Sequence, residues 1–483
     1  MNGSQLKRNT IGGLTWKLLD NLGTQLINFI IQLILARLLM PEDYGLIAIT
    51  SVFISIANIF INTGFSSAII QKKEVAEDEY SSVFFAGLIS SIILYLLIFM
   101  LAPFISVYYE EDMLTKILRV QAISILLSGL YSVHNAILVR NMQFRKIFKY
   151  KLLGIFVQGI IGISMAFSGL GIWSLVISNL TLYICTTISM WLAVNWSPKL
   201  FFSLNKLKKL FSFSSKVLLN NLLNDFINNI KSLVIGKSFS TVMLGYYNRG
   251  FQIPLFIMVN TDGAINTVIF PALSKCQNDK DMFLSFYRRA IKTSVFIVFP
   301  LMAGLFVISE PLTVLLLTEK WLPSVPFMQI SCIICMTWPF SIMYQAFNAL
   351  GDSSTSLKLN ILTKTIDILF MILSLRYGIY IFALCSILSS VLWLIISAFV
   401  FDKRIGYKIK IQTSDILPTL LLSLVMAIIV YFVGGIFTNI FAKIFFQMIL
   451  GIIVYLSGAL LLKLESCLYI LSTVKEILIK RGK

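Results

Sequence analysis

The chain has 483 residues, of which 58% are hydrophobic and only 13% charged, whereas soluble domains carry about a quarter charged residues. The apolar residues come in recurring runs close to the roughly 20 needed to cross a bilayer. That pattern excludes a soluble fold and predicts an all-α polytopic membrane protein. The net charge of +18 does not imply nucleic acid, because the basic residues are sorted along the chain.

The polar start MNGSQLKRNT is followed by an apolar stretch with no small-residue cleavage site, so a retained first helix is expected rather than a removable signal. About 14 membrane helices are expected in all. They lie near 14–38, 44–70, 81–102, 114–138, 151–168, 171–194, 213–236, 244–270, 287–308, 326–349, 357–375, 378–400, 413–434 and 440–462. With the N-terminus inside, about 31 of the 40 Lys and Arg fall on the cytoplasmic side and about eight on the other. Basicity is thus first a topology signal, and it also favours anionic headgroups. It puts both termini in the cytoplasm.

An offset of 200 residues aligns the first helix with the seventh: Asn21 with Asn221, Leu22 with Leu222, Ile27 with Ile227, Asn28 with Asn228 and Gly45 with Gly245. The repeat predicts an N-terminal six-helix lobe at 1–194 and a C-terminal six-helix lobe at 213–400 in the same orientation, the two being pseudosymmetric about the membrane normal. A basic cytoplasmic linker, 195–212, joins them. Two additional helices and a basic cytoplasmic tail make up 401–483.

The first and seventh helices are unusual. Asn220, Asn221, Asn224, Asp225, Asn228, Asn229, Lys231 and Ser232 occupy one half of the seventh at 100° per residue, and Lys17, Asp20, Asn21, Thr24, Gln25, Asn28 and Gln32 occupy one face of the first. A charged group facing lipid costs several kcal/mol. Interhelical hydrogen bonding needs only two or three polar residues, so stripes this long point to a hydrated central cavity. On the eighth helix Arg249 and Gln252 share a stripe. Lys231 and Arg249 are the candidate cations for an anionic group, with Lys17 weaker because it can snorkel. Arg37 and Lys237 suit structural anchors as well as substrate contacts.

Lys364 and Asp367, three apart on the eleventh helix, form either a buried ion pair or a proton- or sodium-coupling site. His134 suits a capping or buried role, and the Cys332–Cys335 spacing suits two small apolar residues one turn apart. No Cys/His set completes a metal site, and no nucleophile–base arrangement marks a catalytic one. Pro254, Pro300 and Pro339 fall inside helices and permit kinks.

LARLLMPEDYG (Leu35–Gly45), SSAIIQKKE (Ser66–Glu74), LVRNMQFRK (Leu138–Lys146), GLGIWSLV (Gly169–Val176), LGYYNRG (Leu244–Gly250) and FPALSKCQ (Phe270–Gln277) resemble signature segments of bacterial polysaccharide flippases, the Wzx/WzxC-like branch of the MOP exporter superfamily. The resemblance covers about the first 400 residues. It implies 12–14 helices in two lobes around a central cavity, and transport of undecaprenyl-pyrophosphate-linked oligosaccharide from the cytoplasmic to the outer leaflet by alternating access. It also implies a place in the bacterial inner membrane, with polysaccharide polymerase and glycosyltransferases as partners and no cofactor beyond a coupling proton or sodium ion. Cations of the first, second, seventh and eighth helices often line the cavity in that superfamily. Lys17, Lys231 and Arg249 match, but the second helix, with Ser51, Ser55, Asn58 and Asn62, supplies none. By the same analogy the last two helices form or border a hydrophobic groove for the polyprenyl tail. Two alternatives stand beside this reading: a cation-coupled multidrug exporter, kept open by Asp20 and Asp225, and a membrane glycosyltransferase or polymerase, for which the short outer loops offer little.

Overall fold

The chain is described by a computed structural model over residues 22–64, 66–72 and 75–472. Among these residues every regular element is a helix. Among the described residues, ten helical segments are long and apolar enough to cross a membrane, which makes this a multi-pass membrane protein. Their outward faces are apolar, as in α4 below, where Ile93, Leu97, Met100 and Phe104 are all exposed. Such a belt is stable only with lipid as the solvent.

The described residues divide into two compact units, up to Gly245 and from Tyr246 onward. The first holds α1 (Leu22–Leu38), α2 (Pro41–Gly64), α3 (Ser66–Gln71), α4 (Glu77–Tyr109), α5 (Met113–Gln121), α6 (Ile123–Arg140), α7 (Phe144–Phe167), α8 (Ile172–Ala193) and α9 (Leu204–Ser238). α10 (Thr241–Lys275) starts in this unit. α2 and α3 are helical over the described part of the stretch expected at 44–70. The one expected at 114–138 is broken at Ala122, where neither proline nor glycine marks the site. α9 begins inside the segment read as a linker. It packs on α2, α3 and α4, so compactness places the seventh helix with the first unit.

α4 has 33 residues, about 50 Å at 1.5 Å per residue, and overshoots a ~30 Å hydrocarbon core. Its first turn carries Glu77, Asp78 and Glu79, which suit a helix N-terminus and are neutralised by neighbours: Lys72 pairs with Glu79, Lys199 with Glu77 and Lys206 with Asp78. At the other end Lys237 pairs with Glu110 at 2.8 Å and lies 5.1 Å from the Tyr108 ring. The Lys237 hydrogen bond and charge hold the Glu110 carboxyl below its ordinary range. Lys237 is therefore an anchor of α9 on α4.

The second unit holds α11 (Lys280–Leu317), α12 (Val325–Cys335), α13 (Ile342–Ala349), α14 (Ser353–Ser374), α15 (Ile379–Ile405), α16 (Ile409–Gly434) and α17 (Ile440–Leu461). Pro339 does more than kink its helix: a 3₁₀ turn, Trp338–Ser341, separates α12 from α13. α11 packs on α12, α16 and α17. Tyr287 of α11 stacks on Phe401 of α15 at 4.3 Å between ring centres, within a core that also includes Phe283, Phe299, Phe347 and Tyr407. Arg288 and Lys292 of α11 meet Asp415 of α16, and Lys292 also meets Glu465 beyond α17. The starts of α11 and α16 and the end of α17 therefore share one face.

Candidate functional site

In the first unit the polar stripes of α2 and α9 meet. Ser55 Oγ donates to Asp225 Oδ2 at 2.8 Å, and Asn229 Nδ2 donates to Asp225 Oδ1 at 3.0 Å. One turn along α2, Asn58 donates to the Tyr183 hydroxyl of α8 at 3.4 Å, while its own Oδ1 is buried without a partner. Asp225 is thus a half-buried carboxylate solvated by fixed donors. Beside it on α9, Asn224 and Asn228 are exposed and Lys231 is half-buried. Gln25 and Asn28 of α1 are half-buried as well. Lys17 and Asn21 lie outside the described residues.

In the second unit Arg249 is buried, donates to Gln252 one turn on, and lies 5.4 Å from the Trp321 ring. A guanidinium held by an amide and an aromatic face is pre-oriented. Asp367 accepts from Ser389 Oγ of α15 at 2.9 Å, and Lys364 is half-buried on the same helix as Asp367. The structure thus joins Asp225 to Asn229 and Ser55, Arg249 to Gln252, and Asp367 to Ser389. Trp321, Tyr183 and Ser389 were not singled out from the sequence. Only Ser389, in the Ser386–Ser389–Ser390 cluster of an otherwise apolar helix, carried a visible signal.

His134 is buried and stacked on Trp191 at 4.6 Å, with Phe84 and Trp196 edge-on to it. Cys332 and Cys335 are buried free thiols, and no cluster of metal-binding side chains occurs among the described residues. An apolar groove of about 460 Å³ runs between α11, α16 and α17, lined by Pro300, Gly304, Ile308, Met426, Gly451 and Tyr455 among others.

A model of the polysaccharide biosynthesis protein family matches residues 34–326, more than half of the chain. The chain belongs to that family. The match takes in the stripes of α2 and α9 and the Arg249 turn. Among curated relatives, this polysaccharide biosynthesis protein is 26% identical over 334 residues to a membrane protein of the cps region of Klebsiella pneumoniae, 68% of each chain. It is 25% identical to the teichuronic acid biosynthesis protein TuaB of Bacillus subtilis over 58% of each chain. With the lipopolysaccharide biosynthesis protein WzxC of Escherichia coli it shares 21% identity over 68% of this chain and 67% of that one. Among solved structures, the lipid II flippase MurJ in its inward closed conformation superposes with a TM-score of 0.71 at 19% identity, covering 92% of this chain and 98% of that one. An inward-facing multidrug resistance transporter of the MATE family gives 0.62 at 15% identity over 79% and 94%. These likenesses establish the MOP-type fold.

Proposed function

We propose that this polysaccharide biosynthesis protein is a flippase that moves a polyprenyl-pyrophosphate-linked oligosaccharide between membrane leaflets, from the cytoplasmic to the outer one, by alternating access. The observation that carries the reading is the polar stripe of α9, held on α2 through Asp225, within a chain of this family. Hydroxyl-rich sugar needs amide and carboxylate partners, and Gln25, Asn28, Asn224, Asn228 and Asp225 supply them. The pyrophosphate needs a desolvated cation, a role given to Lys231 and Arg249 and, more weakly, to Lys17. The isoprenoid tail suits the apolar groove of α11, α16 and α17. The relatives' names span teichuronic acid, succinoglycan and lipopolysaccharide, so the cargo is proposed by class only. One of those names is a transport protein's, and the solved neighbours are a flippase and a transporter, which favours transport over an enzyme.

In this reading α1, α9, α10 and α14 join the ten apolar spans as membrane helices whose polar stripes face protein or water. The basic face is cytoplasmic in the bacterial inner membrane, polymerase and glycosyltransferases act before and after transport, and Asp367 with Ser389 is the place for a coupling proton or sodium ion.

The test is flipping of labelled undecaprenyl-pyrophosphate oligosaccharide in proteoliposomes. Lys231→Ala and Arg249→Ala are each expected to slow it about tenfold or more, the worth of a charge-assisted contact, with folding intact. Wild-type rates in both variants would remove these cations from the site. Asp225 and the MATE-type neighbour favour a second reading, export of organic cations. Efflux of such cations without any lipid-linked sugar flipping would establish it instead.

A further inference from the structure

The segment before α9 is fastened to α4 in a way that a bare linker has no need for. The Lys199 amide donates to Ser81 Oγ at 3.1 Å and the Ser203 amide to Ser82 Oγ at 3.2 Å. Lys199 pairs with Glu77, and Lys206 pairs with Asp78 at 3.3 Å. Trp196 packs edge-on against Phe84 and tilted against Tyr80. Yet this ordered segment turns its apolar side chains outward: Leu200 is 96% exposed, Leu204 71% and Phe202 47%. Holding large apolar side chains rigidly in water is unfavourable by about 25 cal/mol per Å², so the fastening makes sense only if something apolar covers them.

What covers them follows from position and charge. Phe202, Leu204 and Leu207 form, with Ala86 and Ile89 of α4, a groove of about 450 Å³ whose rim is Lys208. Ile89 lies about 18 Å along α4 from Glu77 at 1.5 Å per residue. A ~30 Å hydrocarbon core centred on this helix begins some 10 Å from its start, so Ile89 lies about 8 Å inside the acyl region and the groove runs inward from the headgroup boundary. Two other basic side chains of the segment are committed, Lys199 to Glu77 and Lys206 to Asp78. Lys208, by contrast, is exposed and has no acidic partner among the described residues. An apolar floor under an uncompensated ammonium at that depth matches a lipid with acyl chains and one anionic headgroup. We propose that residues 199–208 and the start of α4 bind an anionic phospholipid of the leaflet on the basic face, its phosphate on Lys208 and an acyl chain along Ile89, Phe202 and Leu204. The site is independent of what the protein transports.

The test is native mass spectrometry of the purified full-length protein titrated with phosphatidylglycerol or phosphatidylcholine, alongside Lys208→Glu, Leu204→Ser and a control charge reversal, Lys408→Glu. All three residues are exposed, and thermal unfolding checks that the variants stay folded. Phosphatidylglycerol is expected to bind more tightly than phosphatidylcholine. Lys208→Glu is expected to weaken it about fivefold or more, the effect of one surface lysine, and to leave phosphatidylcholine unchanged. Leu204→Ser is expected to weaken both lipids, and Lys408→Glu neither. Equal binding of the two lipids, an unaffected Lys208→Glu, or an equal loss in Lys408→Glu would each overturn the site. Displacement of phosphatidylglycerol by a tenth as much undecaprenyl phosphate would reassign the groove to substrate loading. A dimer that Leu204→Ser dissociates would reassign it to a second copy of the chain.

Discussion

Gly45→Ala is expected to leave little folded protein. Gly45 of α2 and Gly245 of α10 are the pair aligned by the 200-residue offset, and in the structure each packs against the start of the other's helix. A Cβ on Gly45 would lie 1.8 Å from the Thr241 carbonyl oxygen, and one on Gly245 would lie 2.0 Å from that of Pro41. The obstacles are backbone atoms, so no side chain can rotate aside and one helix must move by more than an ångström. Ordinary overpacking costs about 1–3 kcal/mol; this crossing belongs at or above the top of that range. Thermal unfolding and size-exclusion profiles in detergent read the effect. The double variant is expected to cost less than the sum of the two, because a helix displaced by one methyl already makes room for the other. Gly304→Ala is the control. Its Cβ would meet only Met426 Cε at 3.9 Å, and alanine is the better helix former. A Gly45→Ala protein that melts with the wild type would refute the crossing.

The offset made those glycines visible as a pair without saying that they touch, because identity along a repeat carries no information about which faces meet. The stripe of α9 was legible for a stronger reason: polar side chains at helical spacing are so costly in lipid that they must be placed deliberately. Asp225 could therefore be read as part of a polar face, while its partner Ser55, 170 residues away, could not. Arg249 and Gln252 are one turn apart on one helix, so their contact was implicit in their spacing, whereas Trp321 comes from another element. The same limit hid the Lys237–Glu110 pair. The start of α9 was less legible, because it falls inside 195–212, read from its basic composition as the cytoplasmic linker. Leu204 and Leu207, one turn apart, already begin the helix that the structure shows.

Asp415→Ala is expected to lower stability by about 3 kcal/mol, the scale for stripping the partner from buried charge. The Asp415 side chain is only 6% exposed. It accepts from Arg288 Nε and Nη2 at 2.7 and 2.9 Å and from the Tyr407 hydroxyl at 2.7 Å, and Lys292 Nζ lies 3.0 Å away. Alanine would leave two cations and a phenol facing one another, with Glu465, 2.9 Å from Lys292, as the counter-charge at hand. Arg288→Ala is expected to cost less, about 1–1.5 kcal/mol. That guanidinium is 36% exposed, and Asp415 would keep Lys292 and Tyr407. Asp415→Asn should fall between, since the amide oxygen still accepts from Tyr407 or Arg288 while the charge is gone. Thermal unfolding of the three variants tests that order, and an unshifted Asp415→Ala would show that the cluster contributes no net stability. The cluster also fixes the starts of α11 and α16 and the chain beyond α17 to one another. The apolar groove has its walls on those same three helices, so loosening the cluster should widen the groove. If the groove holds the isoprenoid tail, Asp415→Asn should slow flipping at temperatures well below its own unfolding.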